Sequence, residues 1–297
     1  MDLSVVIVSY NVREKLKNNL EHLFKSRGDF SFEVFVVDNN SQDGSVEMIE
    51  NNFPQARLIK NQENLGFSKA NNMAIKQAQG DYILLLNPDM QVFVDTLEKT
   101  LDFAKNNSRA IVSSCCLVDE KNNIIKHIRR FPKFFDQLMI ILKVPHVFPK
   151  VLNKYLISDF DYSQSQKVDS VRGSFFMINK NKFKELSGQD LPLLDERYFV
   201  WFEEVDFCKQ IYKLGGEVWY SSNAKCMDYI GQSFSLLKRI KAQKLCRDSM
   251  LKYFKKWQPR WQYFLLKTFW PLGMFITLSF PSPILEDKLR RESRVNQ

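Results

Sequence analysis

Three stretches of this 297-residue chain set polar and acidic side chains directly behind apolar runs. LSVVIVSY (3–10) supplies Ser9 and is followed by Asn11. FEVFVVD (32–38) ends in Asp38 and continues as Asn39-Asn40-Ser41-Gln42-Asp43-Gly44. DYILLLN (81–87) ends in Asn87-Pro88-Asp89. Pro88 has no N–H for a sheet ladder, so that run stops and Asp89 stands just beyond it. A carboxylate there is either a turn residue or a ligand, since Asx turns also place acids at strand ends. Taken together, the three ends suit a nucleotide, with Asp38 toward base or ribose and a metal on Asp89 toward the phosphates.

A second group lies downstream. Glu203-Glu204-Val205-Asp206 follows an aromatic run containing Tyr198, Phe199, Trp201 and Phe202. Adjacent, partly buried glutamates repel one another and have raised pKa values, which suits a general base. Acids in the first turn of a helix also simply complement its dipole. Asp206 reads as structural or supporting. Arg172-Gly173 precedes SFFM; Gly173 would let a substrate approach the backbone, and Arg172 could pair with a phosphate. The alternative is a bulge glycine and a solvated arginine. Trp201 either stacks on a sugar face or belongs to the core.

The elements that must position these residues alternate. Apolar strand-like runs at 3–10, 32–38, 56–61, 81–87 and 110–118 are separated by helical spacing at 12–26, 43–53, 66–80 and 95–107. Asp43 or Ser45 is available to cap the second helix, and Gly80 to close the third. This order predicts an α/β fold whose parallel sheet is covered by helices on both faces. A strand over 168–179, a helix over 196–216 and a strand over 217–222 follow an aromatic, basic excursion at 129–165. The first turn carries neither GxGxxG nor GxxxxGK[ST], which excludes a dinucleotide fingerprint and a P-loop. His22, His127 and His146 are scattered, and five cysteines form no CxxC pair. No signal-peptide pattern precedes the first strand, so a reducing, cytoplasmic setting without disulfides or structural zinc is expected.

Charge divides the chain. Residues 236–297 hold 14 Lys+Arg against 4 Asp+Glu, while residues 1–235 hold 29 against 30. An apolar, basic tail favours an anionic membrane surface over nucleic acid, for which no motif is present. Within it, Leu236, Leu237, Ile240, Met250, Phe254 and Trp257 recur at helical spacing among lysines, as in a helix lying in a membrane interface. FLLKTFWPLGMFITLSF (264–280) approaches the length of a short span but is interrupted by Lys267, Pro271 and Gly273. A helix packed on the body with a solvated basic face is the alternative.

SVVIVSYN, VVDNNSQDGS, NLGFSKANN, LLLNPD, VRGSFFMI and DERYFVWFEEVDFCKQIYKLG occur in this order. Together they resemble the inverting glycosyltransferases of family 2, with a GT-A fold, and within them the bacterial rhamnosyltransferase-like enzymes of surface-polysaccharide assembly. The resemblance covers roughly residues 3–235, leaving 236–297 as the tail. It implies a nucleotide site of Ser9, Asn11, Asp38, Asn71 and Asn87, and Mg²⁺ or Mn²⁺ on Asp89, with Asn87 replacing the first acid of the DXD pattern. It implies Glu204 as base, beside Glu203, where relatives carry Glu-Asp. Relatives also carry a histidine in HxxGxS; here Asp228 begins DYIGQS, so either Asp228 ligates the metal or that contact is lost. The implied reaction moves a sugar from a dTDP- or UDP-linked donor, rhamnose foremost, to a glycan or lipid-linked hydroxyl at the inner face of the cell membrane. Two rivals remain. A sugar-1-phosphate nucleotidyltransferase would carry a glycine-rich, basic loop that SYNVREKLK lacks. A non-catalytic carbohydrate-binding protein would have no use for Asp89 and Glu204.

Overall fold

The computed structural model describes residues 1–229 and 239–279. Among the described residues, nine strands form one sheet: β1 (Leu3–Ser9), β2 (Phe32–Asp38), β3 (Arg57–Lys60), β4 (Tyr82–Leu86), β5 (Met90–Val92), β6 (Ala110–Val118), β7 (Gln166–Val168), β8 (Phe175–Asn179) and β9 (Glu217–Asp228). Their order is β3-β2-β1-β4-β8-β6-β9-β5, with β7 on β9. The first four are parallel, as the βα alternation predicts; β8 runs antiparallel between β4 and β6, so the whole sheet is mixed. The apolar runs fill both faces. Leu84 and Leu86 point into one core with Leu3, Val5 and Ile7, whereas Leu85 points into the other with Val6 and Phe35. Period-two alternation in a strand buried on both sides explains why such runs are continuous rather than alternating.

Helices α1 (Arg13–Leu23), α2 (Ser45–Asn52) and α4 (Thr96–Asn106) cover the first face. The second is covered by α3 (Phe67–Ile75), α7 (Lys180–Ser187) and α8 (Glu203–Lys213). The N-cap of α2 is Gly44, in the left-handed region, rather than Asp43 or Ser45; Asp43 stands one residue earlier, its Oδ1 accepting from the N–H and hydroxyl of Ser45. α3 ends at Ile75, short of the predicted Gly80. The backbone N–H groups of Gln79 and Gly80 are instead donated to Glu33 and Ser4, and a Cβ on Gly80 would lie 2.5 Å from the Ser4 nitrogen. The strand expected over 168–179 is two strands: residues 169–174 leave the sheet between β7 and β8, with Val171 buried in the second core and Ser170 bridging Arg129. The strand expected to end at 222 runs on to Asp228 past an irregularity opposite Cys115 and Cys116.

The excursion holds α5 (Phe134–Ile141), two 3₁₀ turns and the short α6 (Asn153–Leu156). The tail holds α9 (Arg239–Trp257) and α10 (Arg260–Ser279). These meet in a third apolar cluster: Ile141 of α5, Tyr198, Met250, Tyr253 and Phe254 of α9, and Leu266 of α10. Met250 and Phe254, expected to face a membrane, are therefore buried in protein, and Trp257 packs on the same cluster; Ile240 stays exposed. Leu236 and Leu237 lie outside the described residues. Gly273 is no interruption of α10: a Cβ there would lie 2.4 Å from the Ile141 carbonyl oxygen, so glycine lets α10 close on α5. Among the described residues no helix is long and apolar enough to cross a membrane.

Asp206, 1% exposed, fastens α9 to the start of α8. It accepts from the Tyr198 hydroxyl (3.1 Å), the Lys256 ammonium (2.6 Å) and the Trp257 indole N–H (2.6 Å). Removing the carboxylate takes this acceptor from the buried Tyr198 hydroxyl and the Trp257 indole N–H and leaves Lys256 with Asp195 as its remaining carboxylate partner. Asp206→Ala should therefore cost about 3 kcal/mol in urea denaturation, whereas Asp206→Asn, which keeps an acceptor, should cost less.

Candidate active site

Of the residues the resemblance assigns to the nucleotide, Ser9, Asn11 and Asp38 come together at the carboxyl ends of β1 and β2. Ser9 and Asp38 are register partners. Asn11, at φ +54°, joins the two following loops: its N–H donates to Ser41 Oγ and its Oδ1 accepts from Gln42 N. Asp38 Oδ2 accepts from Ser41 N at 2.8 Å. Its Oδ1 is buried with no partner, as is Ser9 Oγ. A buried carboxylate oxygen without a donor is costly, and this one is left able to accept a further N–H or O–H. Asn71 sits in the first turns of α3, its amide donating to the Phe67 carbonyl oxygen.

The turn after β4 begins as Pro88 dictates. Asn87 N donates to Ser174 O, and Met90 N returns to Asn87 O. The chain then crosses to the far side of the sheet as β5, where Met90 pairs with Asp228 and Tyr229 N donates to the Asp89 carbonyl oxygen at 3.3 Å. Asp89 and Asp228, each 4% exposed, are thus backbone neighbours. Arg172, its side chain 42% exposed, donates to Asp228 Oδ2 at 2.9 Å. Residues 230–233 of the DYIGQS stretch lie outside the described residues. No cluster of three or more His, Cys, Asp or Glu side chains forms a metal site among the described residues. Asp89 and Asp228 are nonetheless oxygen donors of the kind Mg²⁺ or Mn²⁺ takes, one or two carboxylates with phosphate and water completing the shell.

The acid pair sits at the first turn of α8. Trp201 and Phe202, at φ +65° and +69°, lead into it. For such side chains this region costs on the order of 1–2 kcal/mol each, a strain found where a chain is held for function. Glu203 is buried and Glu204 half-buried, and one carboxylate oxygen of each is buried without a partner. Burial, reinforced by the Glu204 charge, holds the Glu203 carboxyl well above the ordinary carboxylate range. Burial also raises Glu204, while first-turn N–H groups and Arg172 pull it back. Gly173 lies against this acid: a Cβ there would be 3.4 Å from Glu204 Cβ.

Three polar clamps have roles that the sequence does not show. Asn19, buried among Leu16, Leu20 and Leu23 of α1, donates to Asn87 O and Met90 O and so braces the Asp89 turn. Its only signal is an amide inside an apolar stripe. Asn72, beside Asn71, exchanges bonds with the backbone of Leu194. Asn39 links Asn61 to Gly66. Gly66 itself, at φ +82°, would place a Cβ 2.4 Å from Phe199 O, so the α3 loop and the segment before α8 close on one another only through glycine.

A mixed sheet between two helical layers, with acids around the carboxyl ends of its strands, is the GT-A arrangement. The mannosyltransferase PcManGT of Pyrobaculum calidifontis, solved with GDP-Man and Mn²⁺, superposes at a TM-score of 0.55 and 15% identity over 99% of this chain and 79% of its own. Residues 4–186 match the model of Glycosyl transferase family 2, and the chain belongs to that family. The uncharacterized glycosyltransferase YfnE of Bacillus subtilis is 28% identical over 72% of this chain, which spans 61% of YfnE. The N-acetylglucosaminyl-diphospho-decaprenol L-rhamnosyltransferase of Mycobacterium tuberculosis is 25% identical over 78% of this chain and 77% of its own length.

The raised carboxyls have a stability consequence. A folded state that holds these protons more tightly than the unfolded chain loses stability as pH rises above the ordinary glutamate range, about 4.3, toward the raised folded values. Between pH 4.5 and pH 8 the thermal midpoint of the wild type should fall relative to that of Glu203→Gln. Parallel midpoint-against-pH curves would show that Glu203 titrates normally.

Proposed function

We propose that this chain is an inverting, metal-dependent glycosyltransferase. It would move one hexosyl unit, rhamnosyl foremost, from a dTDP- or UDP-linked donor to a hydroxyl of a glycan or lipid-linked acceptor in surface-polysaccharide synthesis. It would work as a peripheral protein at the cytoplasmic face of the cell membrane. The observation that carries this reading is the juxtaposition made by two consecutive residues: Arg172 grips Asp228, beside the Asp89 turn, and Gly173 lies against Glu204. Leaving-group chemistry and proton-acceptor chemistry thereby share one wall. The rhamnosyl and lipid-linked preferences are supported by the name of the mycobacterial relative.

In this reading Asp38 and Ser9 bind the nucleoside, and Asp89 with Asp228 would hold Mg²⁺ or Mn²⁺. A divalent ion supplies neutralisation of the charge that gathers on a departing diphosphate. The Arg172–Asp228 pair offsets the repulsion Asp228 would otherwise exert on phosphate. Glu204 takes the proton of the acceptor hydroxyl, and its burial moves it toward the pKa of an effective base at neutral pH. Gly173 leaves room beside Glu204 for the acceptor.

A panel of nucleotide sugars tested for hydrolysis and transfer, with and without Mn²⁺, checks the proposal. One dTDP- or UDP-sugar should be consumed, and chelation should abolish turnover. Glu204→Gln and Asp89→Ala should each lower kcat by roughly 10²–10⁴-fold, the usual span for a lost base or electrostatic ligand. Asp38→Ala should chiefly raise the donor KM. Full turnover in the Glu204 and Asp89 variants would end this mechanism. Formation of a nucleotide sugar from a sugar-1-phosphate would favour the nucleotidyltransferase alternative.

A further inference from the structure

α10 has two faces. Tyr263, Leu266, Trp270 and Gly273 turn toward α5 and α9, and Leu266 is fully buried. On the other side Trp261, Phe264, Leu272 and Phe275 are 54%, 59%, 48% and 67% exposed. The Trp261 ring meets Phe134 of α5 at 5.2 Å, and there the apolar surface continues onto the excursion through Phe135, Val147 and Phe148, each more than half exposed. An exposed apolar ridge built from two segments over a hundred residues apart is unusual for a free-standing soluble surface and marks a site of contact.

Its charge identifies the partner. α10 contains no acidic residue, and Arg260 and Lys267 are exposed along it. Between 133 and 150 the sole acid is Asp136, and its Oδ2 is occupied by the Lys133 N–H. Lys133 and Lys150 flank this second patch, both exposed. Two copies of so basic a face repel each other, whereas an anionic bilayer attracts it and accepts aromatic side chains at headgroup depth.

We infer that the outer face of α10 and the α5 end of the excursion form one composite docking surface for an anionic lipid bilayer, with α10 lying in the plane of the interface. α9, the helix whose spacing suggested that role, instead braces this surface from within. The inference rests on the proposed function only for its purpose, which is to hold the acid wall beside a membrane-confined acceptor.

Flotation of the full chain with vesicles tests it. The protein should float with phosphatidylcholine vesicles containing phosphatidylglycerol and be released by high salt, since Lys and Arg supply part of the attraction. Phe264→Glu/Phe275→Glu should lower the vesicle-bound fraction at least tenfold. Phe135→Glu/Phe148→Glu should do the same from the excursion, and Lys133→Glu/Lys267→Glu should weaken binding to anionic vesicles. All of these substitutions are on exposed side chains, and donor hydrolysis in solution should be unchanged. The inference is overturned if the wild type stays in solution with anionic vesicles, if all three double variants float like the wild type, or if light scattering shows a dimer that these variants dissolve. Loss of donor hydrolysis with intact flotation would count against the glycosyltransferase reading and leave the docking surface standing.

Discussion

Carboxylates withdrawn from water govern this molecule. Asp38, Asp89, Asp228, Glu203 and Asp206 are all at most 5% exposed. An ionised carboxylate in such a place costs several kcal/mol unless something answers its charge. Asp206 is answered in full, by an ammonium, an indole and a phenol. Asp228 has Arg172. Asp38 is answered on one oxygen only, and for Glu203 burial raises the carboxyl pKa, favouring the neutral form. The fully paired acid is structural; the half-paired ones line the mouth of the sheet. A sheet buried on both faces, with three polar clamps behind it, is rigid enough to hold those acids where a flexible loop would let them turn to solvent.

Much of the frame was legible in the residues. Continuous β-branched runs marked the parallel strands, and Pro88 fixed the end of β4. Acids and amides at three strand ends marked the mouth. What periodicity does not show is pairing between distant segments. β5 has three residues and no signal of its own, yet it is what brings Asp89 beside Asp228. The break between β7 and β8 was hidden inside an apparently continuous segment, and that break is what frees Arg172 and Gly173 to face the acids. Asn19 was invisible for a different reason: a single amide in an apolar stripe is a small departure, and its partners are carbonyls about seventy residues away.

The basic, apolar tail shows the limit of composition. Helical spacing among lysines describes a buried stripe and a membrane-facing stripe equally well, because both ask for one apolar side. Here α9 buries its stripe against the segment before α8, and α10, whose sequence looked broken by Gly273, uses that glycine to approach α5. Positive φ at Trp201 and Phe202 belongs to the same arrangement: aromatic side chains before α8 are clasped by α9, and the packing offsets the backbone cost.

The Asp206 clasp also sets an order on biosynthesis. A ribosome releases the sheet first, and domains organise from the N-terminus as they emerge. The first turn of α8, however, takes its final support from Lys256 and Trp257, some fifty residues later. A nascent chain halted before α9 would carry every acid of the mouth and lack the brace that aims two of them. The first turn of α8 is thus fully supported only once α9 has emerged.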